Sequence, residues 1–495
     1  VLLLVAVTAA VRLPGVARPL VGHFATKNVA YATIARNWAR GQASFWCPTL
    51  DVLVEGQPGV HLLEVPLSAY LAGALWWMLG GNLDIWGRAT SIGFSCGAVV
   101  LLFFLVRRWH GPAAAWGAAL MLALSPASII FGQSFMLEAS VVCGTLAAVA
   151  VWDRWLLSGR LRHLGIAAVL LALVFLSKVY MVVMLLPLGA MMLSAYLADR
   201  RGESRGGNQA ADPRATNNAM WVRRALAGTL ALVLAVFPAA SWCAMVFEAT
   251  SPGGALADRV YYSLRASAET HAWPPELLAE GTFYAHLVDD LGGIVLTPLG
   301  LGLAVLGFTG SAWRRHAAYL AAAVLLIVAL PAKFHHMPYY FVVILPPLCI
   351  LAGLGWSVLY RQLQPRRGWI AGLLLAAVLM SASYAVEPAF VTPHDDALVV
   401  EAAAELRAVA GPNERIVTVH GTTFDLLYYC DRQGWAVSPF SPRLADVLDE
   451  ARRQGARFVV VAGRSPPKEL LEGFRTVRAV EGYAVLDMTQ GPLLP

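Results

Sequence analysis

Apolar residues in this chain gather into long blocks separated by short polar or basic stretches. Eleven blocks read as membrane-crossing helices: 1–13, 88–106, 112–130, 139–152, 163–178, 181–198, 225–246, 292–309, 316–331, 339–359 and 368–386. A helix needs on the order of 17–25 mostly apolar residues to cross a bilayer, and boundaries read from sequence are uncertain by several residues. The first block starts inside the apolar run Val1–Val11, so the true N-terminus is expected to be missing, and a signal-anchor and a first transmembrane helix are equal readings there. A further block, 63–80, has two readings: it crosses, or it lies along the outer surface and 14–87 forms one large external loop.

The pattern changes after residue 386. Short β-branched runs, RIVTVH (415–420) and RFVVVAG (457–463), alternate with helical patterns over 396–410 and 442–454. This alternation predicts a small α/β domain over 387–495, with one or two edge strands from 474–487. Segment 199–222 is polar and rich in Gly and Asn, and reads as a flexible loop. Segment 247–290, with Glu248, Asp258, Glu269, Glu276, Glu280, Asp289 and Asp290, reads as amphipathic helices on the membrane surface.

Composition agrees with a membrane protein. The chain is 58% hydrophobic and only 14% charged, against about 25% charged in soluble domains. The predicted fold is therefore a polytopic α-helical membrane domain over 1–386 with a soluble C-terminal α/β domain. The net charge of +6 does not point to nucleic acid, because the basic residues sit in short loops. One set of loops holds Arg107 and Arg108, then Arg154, Arg160 and Arg162, then six arginines from Arg200 to Arg224, then Arg314 and Arg315, then Arg361, Arg366 and Arg367. The alternating set holds only Lys178, Arg259, Arg265 and Lys333. The first set is expected to be cytoplasmic. Parity then places the C-terminal domain outside the cytoplasm, on a bacterial inner (plasma) membrane. Cys96, Cys143, Cys243 and Cys349 lie in apolar blocks and are expected to pack as small hydrophobes, while Cys47 and Cys430 lie in polar regions and are weak candidates for a disulfide. Neither a glycine-rich phosphate loop nor metal-ligand spacing is present, so no metal site is expected and any cofactor is left open.

Polar groups at membrane depth are expensive and mark function by default. Glu64, Glu138, Lys178, Lys333, His335, His336, Tyr339 and Tyr340 all fall at the outer ends of predicted helices, from distant parts of the chain. Each has a plainer reading. Glu64 and Glu138 suit a helix N-terminus, Lys178 suits snorkelling to headgroups, and the histidines and tyrosines suit an interfacial belt. Their convergence on one leaflet favours a site at the membrane surface.

The residues KNVAYATIARNWARG (27–41), PTLD (48–51), LLEVPLSAYL (62–71), WGRATSIGF (86–94), LSPASIIFGQSFMLEA (124–139), the Lys178 helix and HHMPYY (335–340) resemble a family in their order and spacing. The chain resembles the GT-C glycosyltransferases of the protein O-mannosyltransferase and lipid A aminoarabinose transferase group (glycosyltransferase family 39-like) over roughly residues 1–350. The resemblance implies an external first loop with surface-lying helices. It also implies transfer of a sugar from a polyprenyl-phosphate carrier to a lipid, glycan or protein acceptor on the outer face. Such chemistry needs a carboxylate to take the acceptor proton and cations to hold the leaving phosphate. The family's first-loop acid is absent from VGHFATKNVAYATIARN (21–37), where Lys27-Asn28 resembles an Arg-Gln variant. The catalytic candidates are therefore Glu64, Asp51 and Glu138, and the donor-phosphate candidates are Lys178, His336, Tyr340 and Lys27. The competing readings are a transporter or flippase, against which the apolar blocks show no internal repeat, and a non-catalytic membrane scaffold.

Overall fold

The computed structural model describes residues 1–22, 24–201, 218–270, 275–363, 367–421, 423–463 and 473–489. Most of the expected flexible loop (202–217) and Arg366 lie outside the described residues.

All eleven predicted apolar blocks fall on helices. In chain order these begin with α1 (Leu2–Ala10), α2 (Ala25–Ala39), α3 (Leu67–Leu79), α4 (Leu83–His110), α5 (Pro112–Leu124), α6 (Pro126–Gln133), α7 (Glu138–Ser158) and α8 (Leu161–Ser177). They continue with α9 (Leu185–Arg200), α10 (Asn218–Ala249), α11 (Leu264–Thr270), α12 (Pro275–Ala279), α13 (Gly281–Asp290), α14 (Thr297–Gly307) and α15 (Ala317–Ala329). The last are α16 (Pro331–His336), α17 (Phe341–Gln362), α18 (Arg367–Phe390), α19 (His394–Val409), α20 (Asp425–Cys430) and α21 (Leu444–Arg453). Among the described residues seven helices are long and apolar enough to cross a membrane, or nine if two bent pairs each count as one span. Of the remaining predicted spans, α8 has 17 residues and α1 has 9. Block 63–80 becomes α3, whose 13 residues reach only about 20 Å, against roughly 30 Å of hydrocarbon. The crossing reading of that block fails on length.

The two bent pairs have local causes. Pro126 opens α6 and disfavours helical geometry at Ser125, so α5 and α6 meet at 56°. A π-turn (Leu291–Val295) followed by Thr297 at φ +65° bends the chain by 107° before α14. The Ser125 hydroxyl donates to the Val295 carbonyl (2.6 Å), so one bend braces the other. Fully buried Arg12, just past α1, donates to the Ala123 carbonyl (3.0 Å) and to the Ser128 carbonyl (2.9 Å) and hydroxyl (2.7 Å). It satisfies carbonyls at the break between α5 and α6.

α17 is the central helix, packed against α5 and α14. Its glycines let backbones touch: a Cβ on Gly355 would lie 1.8 Å from the Leu303 carbonyl oxygen on α14. Small residues serve this purpose where helices associate by packing in lipid.

The strands form an eight-stranded sheet in the order β3-β2-β1-β5-β4-β6-β8-β7. Three come from segments 14–87 and 247–290: β1 (Thr49–Val54), β2 (Gln57–Leu62) and β3 (Val260–Ser263). Five come from the C-terminal region: β4 (Arg415–Val419), β5 (Gly434–Val437), β6 (Ala456–Ala462), β7 (Arg475–Val480) and β8 (Tyr483–Asp487). The predicted strands 415–420 and 457–463 are β4 and β6, and 474–487 supplies the antiparallel hairpin β7–β8. Strands β5, β4 and β6 are parallel. Val417, Val419, Val459 and Val461 face α21 on one side, while Ile416 and Val460 join the main core on the other. The sheet crosses from the C-terminal region to the first loop through one parallel pairing, Val52 with Gly434. The β1–β2 hairpin turns at Glu55 and Gly56, both at positive φ (47° and 74°), the backbone signature of a tight hairpin turn. Segment 247–290 holds the expected helices but also the unexpected strand β3. Cys47 and Cys430 are both free thiols.

Gly355→Ala should lower stability by about 1–3 kcal/mol through overpacking, read as a drop in the thermal unfolding temperature of the detergent-solubilised chain. Gly302→Ala, whose Cβ would meet nothing within 4 Å, should leave it unchanged.

Candidate active site

Lys178 ends α8 in an extended conformation (φ −149°, ψ 99°), which breaks the helix and turns the side chain inward. It is 3% exposed. Its ammonium lies 3.5 Å from Glu64 and 3.3 Å from Glu138. Glu138 opens α7 and is 1% exposed. Glu64 sits between β2 and α3, and its loop is fixed by the Val65 amide donating to the Leu176 carbonyl (3.1 Å) at the end of α8. Glu64 also accepts a hydrogen bond from the Tyr31 hydroxyl of α2 and lies 3.7 Å from Lys27.

Lys27, Glu64, Lys178, Tyr180, Lys333, His336, Tyr339 and Tyr340 line a cavity of about 870 Å³, with Glu138 paired to Lys178 behind its wall. His61, Tyr261, Tyr262 and Ser263, from β2 and β3, line another part. Tyr180 and Tyr340 stack at 5.4 Å between ring centres. Lys333 donates to the Ser267 hydroxyl (3.1 Å).

Six of the seven sequence candidates therefore meet: Glu64, Glu138, Lys178, His336, Tyr340 and Lys27. Asp51 does not join them. On β1 it pairs with Arg36 of α2 and accepts from the Asn37 amide (3.0 Å). Arg36 also donates to the Tyr428 carbonyl (2.9 Å) and lies 3.1 Å from Asp431, which Arg40 grips at 2.7 and 2.9 Å. The Tyr428 and Tyr429 hydroxyls both donate to Asp84 at the start of α4 (2.7 Å each). Asp51 thus belongs to the joint between the first loop and α20. Proximity in sequence to Glu64 made it a candidate, and strand geometry sends its side chain to that joint. Tyr31, His61, Tyr262 and Lys333 line or support the cavity but were not assigned. Only Lys333, a charge between apolar blocks, carried a signal in the sequence.

The electrostatics are lopsided. Burial alone would raise the Glu64 carboxyl, but Lys178 and then Lys27 outweigh it and hold it down at about 2. Burial, and next the Lys27 charge, bring the Lys333 ammonium down to about 8. Burial also brings the His61 imidazole down to about 4, only partly opposed by Glu64, so the ring is neutral at pH 7. Neither of its nitrogens has a hydrogen-bond partner among the described residues. Among the described residues no group of three or more His, Cys, Asp or Glu side chains is placed to hold a metal.

Residues 64–204 match the family model described as dolichyl-phosphate-mannose-protein mannosyltransferase. The crystal structure of ArnT from Cupriavidus metallidurans bound to undecaprenyl phosphate is similar over 99% of both chains, with 15% identity and a TM-score of 0.59. The crystal structure of the Archaeoglobus fulgidus oligosaccharyltransferase in complex with Zn and sulfate is similar over 98% of this chain and 72% of that chain, with 12% identity and a TM-score of 0.57. No curated protein sequence matches the chain. The fold is that of the GT-C membrane glycosyltransferases, and the chain is an integral membrane protein. The matched stretch, residues 64–204, includes Glu64, Glu138 and Lys178.

Asp51→Ala should cost about 1–3 kcal/mol of stability, because it removes one of the two carboxylates that pair buried Arg36 and leaves Asp431 alone. Thermal unfolding should show the loss, and donor KM at a permissive temperature should stay within about twofold of wild type.

Proposed function

We propose that the protein transfers a sugar from a polyprenyl-phosphate carrier to an acceptor on the outer face of a bacterial inner membrane, with its C-terminal region extracytoplasmic. The observation that carries this reading is the charge balance of one cavity. Lys27, Lys178, Lys333 and Glu64 line it, and Glu138, outside the lining, pairs with Lys178, so three ammonium groups meet two carboxylates and one surplus positive charge remains. A carrier-phosphate-sugar is a phosphodiester with one negative charge. The external segments and the C-terminal sheet supply a surface for the acceptor, and α3 suits a helix lying along the outer leaflet.

The residues divide the work. Lys178 and Lys27 hold the carrier phosphate, with Lys333, His336 and Tyr340 around it. As the bond between the anomeric carbon and the phosphate oxygen breaks, the phosphate keeps the electron pair and gains a second negative charge, while the sugar passes through an oxocarbenium-like state. A carboxyl held at about 2 is a weak base. Donor phosphate competes for the lysines that depress Glu64, so donor binding raises its basicity. Glu64 then takes the acceptor hydroxyl proton. Glu138 keeps Lys178 charged and in place.

Glu64→Gln should cut kcat by on the order of 100-fold or more, with donor KM little changed. Lys178→Met should raise donor KM and lower kcat together. Transfer is measured from a synthetic polyprenyl-phosphate sugar. Full activity in Glu64→Gln, Glu138→Gln and Lys178→Met would overturn the reading.

Lys333 gives a pH signature. Its charge is present below about 8 and lost above it, so donor KM should rise as pH passes from 7 to 9. In Lys333→Met that rise should vanish, with KM already elevated at pH 7.

A further inference from the structure

A second, smaller cavity lies beside the first, and Phe24 lines both. Arg18, Arg88, Gln133 and Asn28 line it, with Ala389 and Val391 at the end of α18. It has about 30 Å³ open to the centre of a water-sized molecule, where one water needs on the order of 10–15 Å³. It has room for a small polyatomic group and none for a sugar.

Its wall carries more hydrogen-bonding capacity than the protein uses. Arg18 donates one bond to the Ala389 carbonyl (2.6 Å), and Arg88 one to the Pro19 carbonyl (3.2 Å). Arg18 Nε and Nη1, Arg88 Nε and Gln133 Oε1 have no partner among the described residues. Arg88 is 7% exposed and Gln133 3%. Among the described residues no carboxylate lines the cavity. Asp84, one turn before Arg88 on α4, acts on Arg88 through its charge but is hydrogen-bonded to the Tyr428 and Tyr429 hydroxyls and lies outside the lining. Half-buried Arg18, whose guanidinium lies over the Phe390 ring, and buried Arg88 thus share a wall that holds no carboxylate among the described residues. Such an arrangement is unfavourable by itself, and the planar fork of arginine matches the oxygens of a tetrahedral oxyanion.

We propose that this cavity binds one phosphate-class oxyanion, either the headgroup phosphate of a membrane lipid or free phosphate. The site is separate from the donor cavity and does not depend on the transfer chemistry. A bound phosphate would bridge the 14–24 segment, the start of α4 and the end of α18, which meet here. It would brace the outer ends of the first and last parts of the membrane domain.

The test is thermal unfolding of the full chain in nanodiscs of zwitterionic lipid, so it reads binding and not sugar transfer. Inorganic phosphate is titrated against chloride at constant ionic strength, and a second arm adds phosphatidate to the nanodisc. Wild type should show a saturable rise of roughly 2 °C in at least one arm. A response to phosphatidate alone identifies a lipid headgroup, and a response to inorganic phosphate shows that the free ion suffices. Either supports the site. Arg18→Gln and Arg88→Gln should lose the response, and Lys333→Met in the donor cavity should keep it. Because the arginine variants also lose backbone ties, Gln133→Glu is the deciding variant. It supplies an internal carboxylate, so it should raise the ligand-free unfolding temperature and abolish the response. The proposal is overturned by no response in wild type, by a response that survives Gln133→Glu, by a lower ligand-free unfolding temperature in that variant, or by loss of the response in Lys333→Met.

Discussion

The site depends on one buried ammonium, Lys178, held between two carboxylates from different elements. Glu64 comes from the loop between β2 and α3, Glu138 from the first turn of α7, and Lys178 from the broken end of α8. None tolerates burial alone, since removing one partner of a buried ion pair leaves a charge whose cost is about 3–5 kcal/mol. The three therefore fix one another, and the Val65–Leu176 backbone bond locks the loop against the helix end. The same constraint explains why polar groups from four parts of the chain face one cavity. It also leaves the cavity positive, because Lys27 and Lys333 stand in the same field.

A second constraint holds the roof in place. The C-terminal region is tied to the first loop by a shared sheet edge at Val52 and Gly434. Around that edge lies a polar joint of Arg36, Asp51, Arg40 and Asp431, and the tyrosines of α20 reach down to Asp84 on α4. Tyr261 of β3 packs edge-on against Phe424, while Tyr262 packs against His61. The sheet thus reaches the cavity wall through side-chain contacts and orders segments 14–87 and 247–290 beside the lysines.

Much of the membrane part was legible in the sequence. Long apolar blocks with few charges admit little besides helices, and each block is helical, though 112–130 breaks into α5 and α6 at Ser125. Charges at the ends of those blocks, Glu64, Glu138 and Lys178, were legible for the same physical reason, whereas Lys27 was legible only through the family resemblance. The strands β1, β2 and β3 were not. They are short, TLDVLV and QPGVHL lack clean alternation, and the partner of β1 lies some 380 residues away at β5. Asp51 was drawn to the site by its neighbours in sequence, and only the register of β1 shows that it faces Arg36. Tyr31 and His61 were invisible because an uncharged polar aromatic in a polar loop carries no hydropathy signal. Their roles depend on burial, which the sequence of a loop does not reveal.

The proposed function requires that the Lys178–Glu64 cavity hold the phosphate of a polyprenyl carrier. The most direct measurement is an experimental structure of the full chain with a polyprenyl phosphate bound. The account predicts the phosphate within hydrogen-bond distance of Lys178 and Lys27, with the Glu64–Lys27 contact longer than 3.7 Å. A phosphate bound away from these lysines, with their contacts to Glu64 and Glu138 intact, would contradict it.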